Sequence, residues 1–264
     1  MNGDRSERAA GGGEGPARRE RMICGLQPVR EAIRAHGAKL LRVLVESDAR
    51  EAPVLDALAR FARDHGATVE RPPRAELDRL ARGVRHQGAI AFARELAIAR
   101  LSELVHNEGA LLVALDEVQD PQNFGAVLRS AVAMGASAVL WPEHRSAPLS
   151  PAAFRASAGA VEYATLCRVP SLPPALDELR QLGLTVIGLD MDGESLLDEN
   201  DLSRPTVLVV GAEGKGLRRT VKRSCDTLAR LPMPGPLASL NASAAVAIAL
   251  YEVVRQRSKT KREP

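Results

Sequence analysis

The second half of the chain alternates continuous apolar runs with segments of helical periodicity. Residues 111–115 form an unbroken apolar run, which is typical of a strand buried on both faces of a sheet. Further strands are predicted at 138–141, 184–189, 207–210 and 228–231, and a final helix from about 241 to about 257. This order predicts an α/β fold with a mostly parallel sheet and helices on both faces.

The helix after the first of these strands has clear boundaries. Asp120 is a suitable N-cap and Pro121 suits the first turn, while Gly135 stands where a left-handed C-terminal residue is favoured. Between these boundaries the apolar positions keep one helical stripe. They are Phe124, Val127, Leu128, Ala131 and Val132.

The preceding part of the chain predicts a separate, smaller α/β unit. Residues 27–36 and 51–65 have amphipathic helical periodicity, and residues 40–46 and 89–92 read as strands. We therefore expect an N-terminal domain at 22–94, a linker or linking helix at 95–108 and a second domain at 109–258. Residues 259–264 are predicted to be a tail.

The first 21 residues have mixed charges and three consecutive glycines but no apolar core of a signal peptide. They predict a disordered tail on a cytoplasmic protein. No apolar run in the sequence is long enough to span a bilayer.

The cysteine and histidine positions argue against a metal site. Cys24, Cys167 and Cys225 are scattered, and the five histidines have no ligand spacing. We therefore predict no bound metal.

The charge distribution is compatible with a polyanionic partner. The net charge is only +3, but the pI is about 9.0, and residues 22–94 contain 13 basic and 9 acidic side chains. Aromatic residues make up 3% of the chain, so stacking of bases on an aromatic platform is not the expected mode of RNA binding.

Three separated segments join predicted strands to predicted helices and are candidates for one site. The first segment is residues 120–129. In it, Asn123 lies in the first helical turn, and Arg129 is suited to hold a phosphate through two hydrogen bonds. The competing interpretation is a capping Asn and an ordinary surface Arg.

The second segment, GAEGKG at 211–216, has neither the Walker A pattern nor the GxGxxG spacing. It still allows close backbone approach at the carboxyl end of a strand, with the carboxylate of Glu213 beside it. The alternative is a tight turn with a solvated Glu.

The third segment runs from LPMPG at 231–235 to SLNAS at 239–243 and opens a helix rich in small residues. An alanine-rich helix of high propensity would explain those small residues. It would not explain Ser239 and Asn241 at the end of the helix where backbone N–H groups are free.

Together the three segments resemble the three motifs of the SpoU/TrmH class of SPOUT RNA methyltransferases, and the resemblance covers nearly the whole chain. It is carried by Asn123, Gly125, Arg129 and Gly135, by the GxEGxG loop, and by the PMxG and SLNxS elements. MICG at 22–25, HQG at 86–88 and RSA at 145–147 also look like the bacterial 23S rRNA guanosine-2′-O-methyltransferase branch.

The resemblance implies a C-terminal SPOUT domain with a deep trefoil knot, an N-terminal ribosomal-protein-like domain that binds RNA, and a homodimer. It implies S-adenosylmethionine as cofactor and 23S rRNA as the RNA partner. The implied cofactor-binding residues are Val210, Gly211, Ala212, Leu231, Met233, Ser239 and Leu240.

The resemblance also implies transfer of a methyl group to a ribose 2′-hydroxyl of a guanosine, with Arg129, Asn123, Glu213, Ser239 and Asn241 as catalytic residues. Guanidinium is effectively always protonated. Arg129 either loses its proton through a nearby RNA phosphate or fixes that phosphate while another group takes the proton. The alternatives are a methyltransferase for tRNA or another rRNA nucleotide, and a non-catalytic RNA-binding protein.

Overall fold

The computed structural model describes most of the chain after the predicted tail. The described residues are 20–47, 53–104, 109–147, 149–236 and 239–260. The prediction of a disordered tail falls on residues 1–19, outside this range, but Glu20 and Arg21 belong to the first strand and not to a tail.

The N-terminal unit is a four-stranded sheet with the strand order β1-β4-β2-β3. Both predicted helices and both predicted strands are present, whereas β1, β3 and the short, highly charged α3 were missed. The elements are β1 (Glu20–Cys24), α1 (Leu26–His36), β2 (Arg42–Val45), α2 (Pro53–Asp64), β3 (Val69–Glu70), α3 (Arg74–Ala81) and β4 (Ala89–Arg94).

The remainder of the described chain forms an eight-stranded sheet in which every strand pairing is parallel. The strand order is β10-β12-β9-β11-β6-β7-β8-β5. The strands are β5 (Ile98–Ala99), β6 (Leu111–Asp116), β7 (Ala138–Pro142), β8 (Leu166–Val169), β9 (Thr185–Leu189), β10 (Ser195–Leu196), β11 (Thr206–Gly211) and β12 (Thr227–Arg230).

Helices cover both faces of this sheet, as the sequence predicts. One core lies under α4 (Pro121–Ala133), α5 (Pro151–Ala156) and α8 (Ala242–Thr260). The other lies under α6 (Leu172–Gln181) and α7 (Arg219–Arg223). The two central strands, β6 and β11, are buried along their whole length, which explains their unbroken apolar sequences.

Two boundaries differ from the predictions. The segment 95–108 was predicted to be a linker or linking helix, but β5 within it joins the edge of the large sheet beside β8, followed by a 3₁₀ turn at Leu101–Glu103. The final helix continues to Thr260, into the predicted tail. Strands β8 and β10 and helices α5, α6 and α7 were missed.

A buried ion pair joins the N-terminal unit to the larger one. Glu162, whose side chain is 1% exposed, accepts a hydrogen bond from Arg21 Nη1 at 2.7 Å and lies 2.8 Å from His36 Nε2. Burial raises the pKa of Glu162, but the hydrogen bonds from Arg21 and His36 outweigh burial and lower its pKa below the ordinary value. The Tyr163 hydroxyl donates to a carboxylate oxygen of Glu31 at 2.9 Å.

Candidate active site

The three candidate segments lie at the carboxyl ends of three strands of the parallel sheet. Strand β6 precedes the first segment, β11 the second and β12 the third. In open α/β sheets this edge is where ligands bind. The carboxyl ends of all the parallel strands lie at this edge, so the loops that follow them lie close together.

The start of α4 is fixed by the predicted cap. The two carboxylate oxygens of Asp120 accept hydrogen bonds from the backbone N–H groups of Gln122 at 3.2 Å and Asn123 at 3.1 Å. Further along α4, Gly125 packs against α5 so closely that a Cβ atom would overlap the carbonyl oxygen of Ala153. The helix bearing Asn123 and Arg129 is thus held at its end and along one side.

The glycine-rich loop after β11 is a closed turn. The N–H of Gly216 donates to the carbonyl of Ala212 at 2.9 Å, and a Cβ on Gly211 would overlap the backbone of Gly216. Glycine at 211 therefore serves close backbone approach, as the sequence suggested.

An ion pair that sequence reasoning missed fixes the end of this loop. Asp116, fully buried at the end of β6, accepts hydrogen bonds from the backbone N–H of Arg218 at 2.8 Å and from its Nε at 2.7 Å. Arg218 Nη1 also lies 3.4 Å from Glu117. Asp116 and Arg218 are 102 positions apart, so no local pattern in the sequence could have paired them.

One polar side chain from each segment meets the other two. Asn123 Nδ2 donates to Glu213 Oε1 at 2.9 Å, and Asn241 Nδ2 donates to Asn123 Oδ1 at 2.8 Å. Asn241 Nδ2 also donates to Glu213 Oε1. We call these three residues the polar triangle. It links three loops that are far apart in sequence into one site.

Asn241 has a second role as the N-terminal cap of α8. Its Oδ1 accepts from the backbone N–H of Ser243 at 2.8 Å and from the Ser243 hydroxyl at 2.6 Å. Because the amide uses both ends, its orientation is set: the oxygen faces the helix and the nitrogen faces the triangle.

A cavity of about 780 Å³ opens beside the triangle. It is walled by the loops after β9, β11 and β12, and its lining combines apolar side chains with exposed backbone. All the residues predicted to bind the cofactor line it, namely Val210, Gly211, Ala212, Leu231, Met233, Ser239 and Leu240.

The lining fits S-adenosylmethionine chemically. Leu189, Leu231 and Met233 are apolar groups of the kind that contacts an adenine ring, and the carboxylate of Asp192 is of the kind that accepts from ribose hydroxyls or an ammonium group. The volume lies within the range of sites for ligands of this size. The individual binding roles remain predictions.

Arg129 lies apart from the other predicted catalytic residues. It is exposed on α4 and, within the described part of the chain, makes no hydrogen bond or ion pair. It lines neither the large cavity nor a smaller one next to it. One copy of the chain therefore assembles Asn123, Glu213, Asn241 and Ser239 but not Arg129.

The cysteines have the properties of structural residues. Burial raises the pKa of Cys24 and Cys167 to about 11 and that of Cys225 to about 12, so the thiols are protonated near neutral pH. Among the described residues no group of His, Cys, Asp and Glu side chains could hold a metal ion. None of the helices within the described ranges is both long and apolar enough to cross a membrane.

Comparison with known proteins identifies the family. Residues 110–251 match the model of the SpoU rRNA Methylase family. The chain belongs to the SpoU rRNA methylase family. Residues 22–99 match the model described as RNA 2′-O ribose methyltransferase substrate binding.

Two bacterial proteins are among the relatives that are similar over most of this chain. The 23S rRNA (guanosine-2′-O-)-methyltransferase RlmB of Pseudomonas syringae is 41% identical, covering 92% of this chain and 98% of that protein. An uncharacterized tRNA/rRNA methyltransferase of Mycolicibacterium vanbaalenii is 40% identical, covering 89% and 76%.

The fold is similar to that of the SpoU methyltransferase AviRb from Streptomyces viridochromogenes, solved in complex with its cofactor AdoMet. The TM-score is 0.75 at 27% identity, over 90% of this chain and 91% of that one. The predictions of an RNA ribose methyltransferase and of S-adenosylmethionine as its cofactor are confirmed by these relationships.

Proposed function

We propose that this SpoU protein transfers the methyl group of S-adenosylmethionine to the ribose 2′-hydroxyl of a guanosine in 23S rRNA. The observation that carries the proposal is the polar triangle of Asn123, Glu213 and Asn241, in which Glu213 lines a cavity that fits the cofactor. The guanosine and the 23S rRNA follow the relative RlmB, and the large share of both chains that aligns supports this choice.

The cofactor supplies an electrophilic methyl group, so the protein has to orient the ribose and help the hydroxyl lose its proton. The proposal assigns this role to Glu213. Its Oε1 accepts from both amides of the polar triangle, while its Oε2 accepts no hydrogen bond from any described residue. Asn123 and Asn241 thereby hold the carboxylate in one orientation.

Arg129 acts on the RNA in this proposal. A guanidinium exposed on a helix that is firmly packed against α5 and α8 is suited to bind a phosphate through two hydrogen bonds. Whether Arg129 gives up a proton to that phosphate or leaves deprotonation to Glu213, the role requires the fork of the guanidinium. Arg129→Lys is therefore expected to lose most 2′-O-methylation, and near-normal methylation would contradict it.

A homodimer would bring Arg129 of one protomer to the cavity of its partner. Support comes from α8, which packs against α4 and leaves Ile248 46% and Tyr251 59% exposed. Large apolar side chains on a solvent-facing helix are typical of an interface. A trefoil knot belongs to the same proposal, supported by the membership of the SpoU family.

The N-terminal unit is proposed to bind the RNA, with domain boundaries near 22–94 and 109–258. Its match to a substrate-binding family supports this role, and so does its excess of basic side chains, 13 against 9 acidic ones in residues 22–94. A cytoplasmic location is part of the same proposal.

Mapping 2′-O-methyl groups on 23S rRNA from cells with and without the protein tests the function. The proposal predicts that a single guanosine loses its 2′-O-methyl group when the protein is absent. An unchanged 23S map with a lost tRNA methyl group would establish the tRNA alternative instead. Calorimetry with S-adenosylmethionine tests the remaining alternative, since a non-catalytic RNA-binding protein has no need of cofactor affinity.

A further inference from the structure

A second, smaller cavity of about 220 Å³ is lined by two members of the polar triangle, Asn123 and Glu213. It is formed by the loop between β6 and α4 and by the glycine-rich loop. Its lining residues are Glu117, Val118, Gln119, Asp120, Asn123, Ala212, Glu213, Lys215 and Ala242. Four of them, Ala212, Glu213, Lys215 and Ala242, also line the cofactor cavity.

The shared wall makes the small cavity the place for the methyl acceptor. In an in-line transfer the ribose oxygen approaches the methyl group from the side opposite the sulfur, so donor and acceptor need adjoining spaces. The large cavity takes the donor. The small cavity adjoins it at Glu213 and is smaller than sites for drug-sized ligands, which suits a single heterocyclic base.

Hydrogen-bond acceptors dominate the lining of the small cavity. Each carboxylate oxygen of Asp120 accepts one backbone N–H, which leaves further lone pairs on an exposed side chain. Gln119 is also exposed and makes no hydrogen bond to a described residue. Glu117, in contrast, is already engaged by Arg145 at 3.2 Å and by Arg218.

Guanine matches this set of groups. Its Watson–Crick edge carries two adjacent donors, N1–H and the N2 amino group, and one acceptor, O6. A carboxylate accepts from both donors at once, and an amide nitrogen donates to O6. Adenine presents an acceptor at N1, which a carboxylate repels. Enzymes that act on single nucleotides read the extruded base through this edge.

We propose that the small cavity receives the base of the target nucleotide, with Asp120 accepting from guanine N1–H and N2–H and Gln119 donating to O6. This inference rests on the proposed methyl transfer to a guanosine and assigns its base specificity to the loop 117–120. Asp120 would thus cap α4 and select the base with different lone pairs of the same carboxylate.

The test separates the capping role from the selecting role. Asparagine is as good an N-cap as aspartate, so Asp120→Asn keeps one of the two capping hydrogen bonds and replaces the other carboxylate oxygen by a donor. An RNA fragment bearing the mapped guanosine is compared with the same fragment bearing inosine, which lacks the N2 amino group. The rate at low substrate concentration, kcat/KM, is measured for both.

For the wild-type protein we expect kcat/KM to be about 10-fold or more higher on guanosine than on inosine, the effect of one hydrogen bond to a charged group. Asp120→Asn is expected to lower the rate on guanosine by about 10- to 100-fold and to bring the two substrates within about 3-fold. Its affinity for S-adenosylmethionine is expected to stay within about 2-fold. Glu143→Gln, an exposed acid outside both cavities, serves as control and keeps the wild-type ratio.

An unchanged guanosine-to-inosine ratio in Asp120→Asn overturns the proposal, and so does a loss of cofactor affinity, which would assign the cavity to the cofactor. If that variant does not fold, Gln119→Ala replaces it and is expected to slow both substrates equally, because both carry O6. Unchanged rates on both substrates contradict the proposal. Failure of the wild-type protein to methylate any guanosine 2′-oxygen would instead contradict the proposed function.

Discussion

Two arginines from the motif-bearing regions have opposite environments. Arg218, at the end of the glycine-rich loop, is bound to the fully buried Asp116 through its backbone N–H and its guanidinium. Arg129, on α4, is exposed and makes no ion pair with the described residues. The backbone is firmly packed at both arginines, so the two residues differ only in what their side chains contact.

The difference indicates a structural role for Arg218 and a functional role for Arg129. The guanidinium of Arg218 binds a carboxylate within the protein and thereby fixes the loop that lines the cofactor cavity. The hydrogen-bonding capacity of Arg129 is left for a ligand or another protomer. The account therefore predicts that the two arginines fail in different ways when they are removed.

The largest effect is expected on catalysis at Arg129. Arg129→Ala is predicted to lower methyl transfer by about 10²- to 10³-fold, the scale of losing one preorganised charged contact to the reacting groups. Its cofactor affinity and its free energy of unfolding should stay near those of the wild type. Single-turnover methylation and calorimetry measure these quantities, with the exposed Arg219→Ala as matched control. A parallel loss of stability would show that Arg129 is structural.

The second effect is expected on stability at Arg218. Arg218→Ala removes the guanidinium from the buried carboxylate of Asp116 and leaves it only the backbone N–H of residue 218, which costs about 3 to 5 kcal/mol of unfolding free energy. Cofactor affinity should fall as the loop loosens. Urea denaturation of this variant beside Arg129→Ala measures the contrast directly. A loss below about 1 kcal/mol would remove the distinction between the two sites.

Asn241 tests whether one residue combines both roles. Asn241→Ala removes the cap of α8 and two contacts of the polar triangle, so we expect a loss of about 1 to 2 kcal/mol in stability. Methyl transfer should also fall by at least about 10-fold, because Glu213 loses one of its two donors. Ser243→Ala disturbs only the helix end and is the control. Normal activity of Asn241→Ala in folded protein would argue against the triangle.

The smallest effect concerns the ion pair of Glu162 with Arg21 and His36. The pKa of Glu162 is lowered on folding, so its contribution to stability is fully present above the ordinary value of 4.5 and is lost as pH falls through the lower folded value. The difference in unfolding free energy between the wild type and Glu162→Gln should therefore narrow below about pH 4.5. Urea titrations at several pH values check this, and a difference independent of pH would contradict it.

Residues that act within one helical turn were enough to predict the ends of some helices from the sequence. The Asp120 cap, Pro121 and the left-handed Gly135 bounded α4 correctly because each acts within one helical turn. The same rules missed α6, which begins Leu172-Pro173-Pro174 and so resembles a loop. They also missed β8, in which the exposed Arg168 interrupts the short apolar run.

The site was predictable only in part. The motifs named the members of the polar triangle, but their contacts span up to 118 positions along the chain. The Asp116–Arg218 and Arg21–Glu162 pairs have no sequence signature, because residues 102 and 141 positions apart are brought together by the fold and not by a local pattern. The position of Arg129 outside the cavities follows from how α4 packs, which periodicity does not determine.

The identity of the methylated product tests the central claim most directly. Purified protein is incubated with isotopically labelled S-adenosylmethionine and 23S rRNA that lacks the modification, and the digested nucleosides are analysed by mass spectrometry. The account predicts label in 2′-O-methylguanosine, nearly absent with Arg129→Ala and present at comparable yield with Arg219→Ala. Label on a base, in another ribose, or at equal yield with Arg129→Ala would contradict it.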